Sequence, residues 1–347
     1  MNIAILFGGS SYEHEISIVS AISLKKVLKK STLSFIFCDS QREFYLIDAN
    51  NMKSNYFASG SYKKAKKLIL KKGAFCIEGM LGLKEQNLGV VLNLIHGRDG
   101  EDGKMASLLE FNNIAYISPR VDASVLSYNK LYTKLYAESL GVKVVPYQLL
   151  NNSDSRDITL TYPVIIKPVR LGSSIGVSIV KSAEELDYAL DVAFEFDTQV
   201  LIEPFINKVL EYNQAGCKTS EFELSIIEEP NKEEFLDFDK KYLDFSRDGK
   251  VMDANISDEL RTKIQEAFKK VYGTLFEGSI IRCDFFVVEG EVLLNEINPI
   301  PGSMGNYLFS DFEGMVGRLV NHLPKESTIQ INYQYINSIQ SAKGGKA

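Results

Sequence analysis

Four short segments carry residues whose types and spacing could do chemistry. In Lys167-Pro168-Val169-Arg170-Leu171-Gly172-Ser173-Ser174-Ile175-Gly176, a lysine at the end of a strand precedes a glycine and two serines. The lysine supplies a positive charge and the glycine and serines a series of free backbone N–H groups, the means of cradling phosphate oxygens. The Gly-x-x-x-x-Gly-Lys order of a Walker loop is absent, and a solvent-facing turn would use the same residues. Further along stand Arg282, Asp284, Glu296 and Asn298. Glu296 and Asn298 are two apart, so on a strand both leave one face. Two carboxylates and an amide are the oxygen donors that hard Mg²⁺ prefers, with phosphates and water completing its shell. Whether Asp284 joins them depends on the hairpin. A loop with an odd number of residues, such as Glu289-Gly290-Glu291, sets Asp284 opposite Glu296, whereas a two-residue loop sends it to the other face.

The third segment, His96-Gly97-Arg98-Asp99-Gly100-Glu101-Asp102-Gly103, directly follows an apolar strand. Its glycines let the backbone bend sharply and its acids could cap the next helix. Ligands gather beyond the carboxyl ends of parallel strands, so the placement favours function, although a lone His96 is more often a core residue. The turn Gly8-Gly9-Ser10-Ser11 followed by Glu13 repeats the pattern and is not a dinucleotide fingerprint.

The elements that must position these residues read as α/β. Strands are expected at 2–7, 33–38, 44–47, 89–95 and 114–117, with helices near 17–30 and 104–111. The continuously apolar Val90-Val91-Leu92-Asn93-Leu94-Ile95 suits a parallel sheet covered on both faces. A helix over 122–140, ended by Gly141, bridges to strands at 143–149, 163–167 and 175–180 and a helix at 182–195. Beyond 204 the chain reads mostly as strand, with helices near 257–272 and 311–322. The polar, aperiodic stretch 230–250 is the length of a functional loop or lid.

With 347 residues the chain exceeds one ordinary core. We divide it into an N-terminal α/β domain (1–121), a central unit with its bridging helix (122–203) and a C-terminal unit (204–347). A net charge of -6 argues against general affinity for nucleic acid or anionic membrane. The basic run from Lys63 to Lys72 reads as a solvated helix face or loop. Cys38, Cys76, Cys217 and Cys283 are scattered, as are His14, His96 and His322, which gives neither a zinc pattern nor a disulfide framework. No basic leader precedes the first strand and no apolar run approaches the ~18 residues of a membrane span, so the chain is expected to be cytoplasmic.

Taken together, His-Gly-x-x-Gly-Glu-Asp-Gly at 96–103, Lys-Pro-x-x-x-Gly-Ser-Ser-x-Gly at 167–176 and Glu-x-Asn-x-x-Pro-Gly at 296–302 resemble the D-alanine–D-alanine ligases, over nearly the whole chain. The resemblance implies a three-domain ATP-grasp fold, with ATP gripped between the second and third domains. It also implies ATP-dependent joining of two D-alanines through an acyl phosphate, with two Mg²⁺ ions for which Mn²⁺ can substitute. It leaves a homodimer open. By the same resemblance Lys130, Lys167, Ser173 and Ser174 hold ATP phosphates. Glu203-Pro204-Phe205-Ile206 is the adenine hinge, Glu211 the ribose contact and Lys241 a loop lysine reaching the γ-phosphate. Asp284, Glu296 and Asn298 are the metal ligands. Glu13 holds the first substrate's ammonium, beside His96 and Glu101, and Ser173 with Tyr242 closes the loop over it. Arg282 and the Gly302 N–H stabilise the oxyanion.

Three departures stand out. Residues 41–88 form an insert longer than the family pattern, with no function attached, and Glu211 sits one residue late. Where relatives offer a serine-leucine pair for the second substrate's carboxylate, this chain has Ser303-Met304-Gly305-Asn306-Tyr307-Leu308, with Tyr307 as the candidate donor. A D-alanine–D-lactate ligase is the nearest rival, disfavoured by Tyr242. Another ATP-grasp carboxylate–amine ligase lacks the first two signatures, and a non-catalytic nucleotide-binding regulator would not need the metal ligands.

Overall fold

The computed structural model describes residues 1–230, 251–325, 327 and 329–344. Its first sheet grows from β1 (Asn2–Gly8), an apolar strand buried from Ile3 onward. Helix α1 (His14–Val27) follows, then β2 (Thr32–Cys38), which pairs parallel with β1. The insert is ordered structure rather than loop. It contributes β3 (Phe44–Ile47), the short helix α2 (Ser54–Ala58), β4 (Lys66–Lys71), β5 (Ala74–Gly79) and β6 (Gly82–Gln86), added antiparallel. The basic run therefore lies largely on a strand: Leu68 points inward while Lys66, Lys67 and Lys71 face solvent. Strand β7 (Val90–Asn93) pairs parallel with β1, α3 (Lys104–Phe111) follows, and β8 (Tyr116–Ile117) closes the sheet in the order β6-β5-β4-β3-β2-β1-β7-β8.

The bridging helix is broken. Helices α4 (Val121–Tyr128) and α5 (Lys130–Ser139) meet at Asn129, whose extended backbone and side chain, accepting from Tyr132 N–H, cap α5. Gly141, at φ 68, ends α5 as expected. The expected strand 143–149 also divides, because Pro146 lacks an N–H for a continuous ladder. Its first part, β9 (Lys143–Val144), joins one sheet and its second, β10 (Gln148–Asn151), another. With β11 (Val164–Pro168), β12 (Ser178–Val180) and β13 (Gln199–Pro204), β10 forms the order β10-β13-β11-β12, covered by α6 (Leu186–Phe194).

The third sheet holds β14 (Leu210–Lys218), β15 (Phe222–Glu228), β16 (Ile281–Val288) and β17 (Glu291–Asn298), in the order β15-β14-β16-β17-β9, with α7 (Asp258–Tyr272) packed on it. Helix α8 (Phe312–Val320) then returns to the first sheet. Its Phe312, Met315, Val316 and Leu319 share one core with Ile3, Ile5, Phe7 and Leu24. Among the described residues no helix is long and apolar enough to cross a membrane.

Candidate active site

The metal-type donors come together by a route that the hairpin loop alone would not give. Val288 pairs with Glu291, so Glu289-Gly290 is a two-residue loop, at φ 52 and 80 as a type I′ turn requires. Continued in register, that loop would set Asp284 opposite Asn295. The ladder instead shifts between Asp284 and Phe285, and Asp284 faces Glu296. One extra residue on β17 restores the face that the even loop would have lost. Arg282 pairs with Asn298 in the same ladder, so all four side chains share one side of the sheet. Asn213 of β14 lies opposite both Asp284 and Glu228, extending the row across four strands.

Asp284 is 2% exposed and takes a fork from Arg282, Nε to Oδ1 at 2.7 Å and Nη2 to Oδ2 at 2.8 Å. Asn298 Nδ2 donates to its Oδ2 at 2.9 Å. Burial opposes the Arg282 charge, but Asp284 overrides it and holds the guanidinium well above its ordinary pKa. Two carboxylates and an amide oxygen fit Mg²⁺ chemistry, provided that the Asn298 amide turns its oxygen toward the ion.

Glu13 enters α1 behind the Gly8–Ser11 turn and is 7% exposed. Ser173 Oγ donates to its Oε1. A Cβ on Gly97 (φ 68) would lie 2.4 Å from Glu13 Oε2, and one on Gly172 would lie 3.1 Å from Oε1, so the two glycines let both loops close on this carboxylate without displacing it. Burial, and then the nearby Glu101 charge, push the Glu13 pKa up. His96 is buried, with Nε2 3.1 Å from Ser20 Oγ and Nδ1 3.7 Å from Glu101 Oε1. Ser173 and Ser174 are left-handed, at φ 57 and 59, backbone strain of the kind concentrated at ligand sites.

Lys130 begins α5, where its N–H donates to Val169 O at 3.0 Å and its ammonium to Leu171 O. Burial lowers its pKa against the pull of Glu296, and Glu13 also attracts it; it lines one pocket with Glu101, Gly172, Glu296 and Asn298. Lys167 Nζ is engaged with Glu203 Oε2 at 2.8 Å. The other oxygen of Glu203 takes Lys134, 1% exposed, at 2.9 Å. Burial disfavours the Glu203 carboxylate, yet Lys167 and Lys134 together hold its pKa below the ordinary value. Lys134 was not legible as a site residue, although it stands one helical turn after Lys130.

The remaining expected positions divide. Glu203 and Pro204 end β13, with Phe205 and Ile206 just beyond, and Glu211 shares the sheet face of Asp284 and Asn213. In the turn Gly302–Leu308, the residues Ser303, Met304 and Gly305 are left-handed in succession, and Ser303 N–H donates to Ser20 Oγ at 3.1 Å. Asn306 Nδ2 donates back to Ser303 O at 2.9 Å, and Leu308 is buried. Tyr307 turns its hydroxyl to Glu228 Oε2, 3.3 Å away, and burial pushes that phenol up to about 12. Glu228, an acid at the end of an apolar strand, is a neighbour that sequence reasoning missed. Tyr242 and Lys241 fall outside the described residues, as does nearly all of the expected loop 230–250.

Family models described as D-ala D-ala ligase N-terminus and C-terminus match residues 2–119 and 136–317. The chain belongs to the D-alanine–D-alanine ligase family. A family member from Sulfurovum sp. (strain NBC37-1), named D-alanine--D-alanine ligase, is 69% identical and the alignment covers 99% of each chain. One from Wolinella succinogenes is 58% identical over 99% of this chain and all (100%) of its own. Among solved structures, the D-alanine–D-alanine ligase of Helicobacter pylori superposes with a TM-score of 0.84 at 51% identity, covering 94% of this chain and 100% of that one. The VanG D-Ala:D-Ser ligase of Enterococcus faecalis gives 0.75 at 25% identity, covering 92% and 98%.

Proposed function

We propose that this chain joins two D-alanines into D-alanyl-D-alanine for peptidoglycan precursors, converting ATP to ADP and phosphate in the cytoplasm. The observation that carries the reading is the arrangement around Lys130. Its ammonium is drawn both to Glu13, between the two glycine loops, and to Glu296, on the face that carries Asp284 and Asn298. One ammonium thus stands between a carboxylate suited to an amino acid's ammonium and oxygen donors suited to a cation–phosphate group.

The chemistry follows from these groups. Glu13, steadied by the Ser173 hydroxyl, holds the ammonium of the first D-alanine and orients its carboxylate. That carboxylate attacks the γ-phosphate of ATP and ADP leaves, giving an acyl phosphate. Lys130 and Lys167 neutralise phosphate charge, with Lys167 exchanging its Glu203 contact for phosphate oxygen. Asp284, Glu296 and Asn298 hold Mg²⁺ or Mn²⁺, which when bound supplies charge neutralisation at the transferring phosphoryl group. The deprotonated amine of the second D-alanine then attacks the acyl carbon. Arg282 and the Gly302 N–H bear the developing oxyanion, and phosphate leaves. Lys134 keeps Glu203 paired throughout.

The test is phosphate release and ADP formation with D-alanine, L-alanine, D-serine and D-lactate as the variable substrate. Equal rates with D- and L-alanine, or no release with D-alanine, would sink the reading.

A further inference from the structure

The insert between β2 and β7, which the family resemblance leaves without a role, reaches the loops beside Glu13 through the side chain of Arg42. Its turn Asp39–Glu43 supports itself. Asp39 Oδ1 accepts from the N–H groups of Gln41 at 2.9 Å and Glu43 at 3.0 Å, and Arg42 N–H donates to Asp39 O at 2.9 Å. Arg42 is left-handed, at φ 62, a conformation that a non-glycine residue keeps only where its surroundings hold it.

From there Arg42 closes a fork on Asp99, Nε to Oδ2 at 3.0 Å and Nη2 to Oδ1 at 2.9 Å. Asp99 is 3% exposed and itself left-handed, at φ 75. Its Oδ2 also accepts from Ser10 N–H at 3.0 Å, and its carbonyl accepts from Met105 N–H at 2.9 Å. Beside it, Arg98 Nε donates to Ser10 O at 2.9 Å. One carboxylate thus ties together three loops: the insert's turn, the Gly8–Ser11 turn that leads into Glu13, and the 96–103 loop whose Gly97 lies against Glu13. Burial works against the Asp99 charge, but the Arg42 fork and the Ser10 N–H more than offset it and keep its pKa below the ordinary value.

Resting on the assignment of Glu13 to the first D-alanine, we propose that Arg42 is a positioning residue for that substrate, its fork on Asp99 holding in register the two loops that fix Glu13. Removing the guanidinium leaves a buried carboxylate with the Ser10 N–H in place of three donors, and the loops separate to hydrate it. A lysine cannot stand in, because the contact is bidentate.

In steady-state assays of the full chain, Arg42→Ala and Arg42→Lys should each raise KM for the first D-alanine about tenfold or more, since small misplacements of a binding group are costly. The second-site and ATP KM values should stay within about twofold. Amide exchange over 97–103 should quicken, and added guanidinium ion should restore the first-site KM of Arg42→Ala. Asp99→Asn should behave alike, and the double variant should be no worse than either single one. Lys67→Ala, which breaks the exposed Lys67–Glu43 pair on the same insert, should change none of these values. Arg42→Lys keeps the charge and the aliphatic stem, so a raised KM at an unaltered melting temperature separates positioning from folding. An unchanged first-site KM in both Arg42 variants overturns the proposal. Glu13→Gln run alongside shows what fell: if it too leaves that KM unmoved, the pocket assignment fails with the clamp, and if it raises KM, the clamp alone fails.

Discussion

The hydroxyl of Tyr307 lies 3.3 Å from Glu228 Oε2, and a phenol has a single proton to give. Glu228 also accepts from Asn213 Nδ2 at 3.4 Å, so Tyr307 closes a chain of protein contacts behind Arg282. Tyr307→Phe should therefore weaken the second D-alanine by less than about threefold, while lowering unfolding free energy by about 1 kcal/mol, the net worth of one hydrogen bond. Second-site KM and urea denaturation check both. A rise of tenfold or more would mean that the phenol leaves Glu228 for the substrate.

Glu296→Gln should leave the fold intact and lower turnover by at least about 100-fold, equivalent to about 2.7 kcal/mol, because a charged ligand of the cation site is lost. Circular dichroism and phosphate release at millimolar Mg²⁺ check it. Near-normal turnover would remove Glu296 from that site.

Glu13 couples function to pH. Its raised pKa means that the carboxylate needed for an ammonium forms only above the usual glutamate range. The acidic limb of kcat/KM for the first D-alanine should accordingly lie above that range, and Glu101→Gln should move it to lower pH by removing a like charge. For stability the sign is opposite. A folded-state pKa above the unfolded one gives stability that is full at low pH and lost as pH rises through the folded value. Glu13→Gln should thus lose first-substrate binding and yet melt higher at neutral pH. A lower melting point at pH 7 would contradict this.

Lys134→Met should cost about 2 to 3 kcal/mol in denaturant unfolding, somewhat below the price of orphaning a buried charge outright, since Lys167 still faces Glu203. ATP binding should weaken too, because Lys167 is then held more firmly by Glu203. Calorimetric titration with a non-hydrolysable ATP analogue would show it, and unchanged nucleotide affinity would count against that coupling.

Much of this site is local and so was legible from the chain. The apolar runs at β1 and β7 announce buried parallel strands. The glycine motifs at 96–103 and 167–176 mark loops where backbone must approach a carboxylate, as Gly97 and Gly172 do with Glu13. The face of the metal-type donors was legible only conditionally, because Glu289-Gly290 predicts an even loop and nothing in Leu294-Asn295-Glu296 advertises the extra residue that corrects it. The Lys134–Glu203–Lys167 triad was hidden for another reason. Buried ion pairs join residues from different elements, and neither periodicity nor spacing records which charges will meet inside. The run from Lys63 to Lys72 misled because its strand alternation is carried by a single buried residue, Leu68.

The return of α8 to the first sheet bears on how the molecule comes into being. Strand β1 is made long before Phe312, Met315, Val316 and Leu319, which complete the core around Ile3, Ile5 and Phe7. Contacts of such sequence separation form slowly. During synthesis, the core that α1 builds on β1 must wait, part of its apolar surface uncovered, for these later side chains. A nascent chain halted before α8 would present that unfinished core to chaperones or to its own copies, and the enzyme cannot begin work until α8 has joined the core built on its first strand.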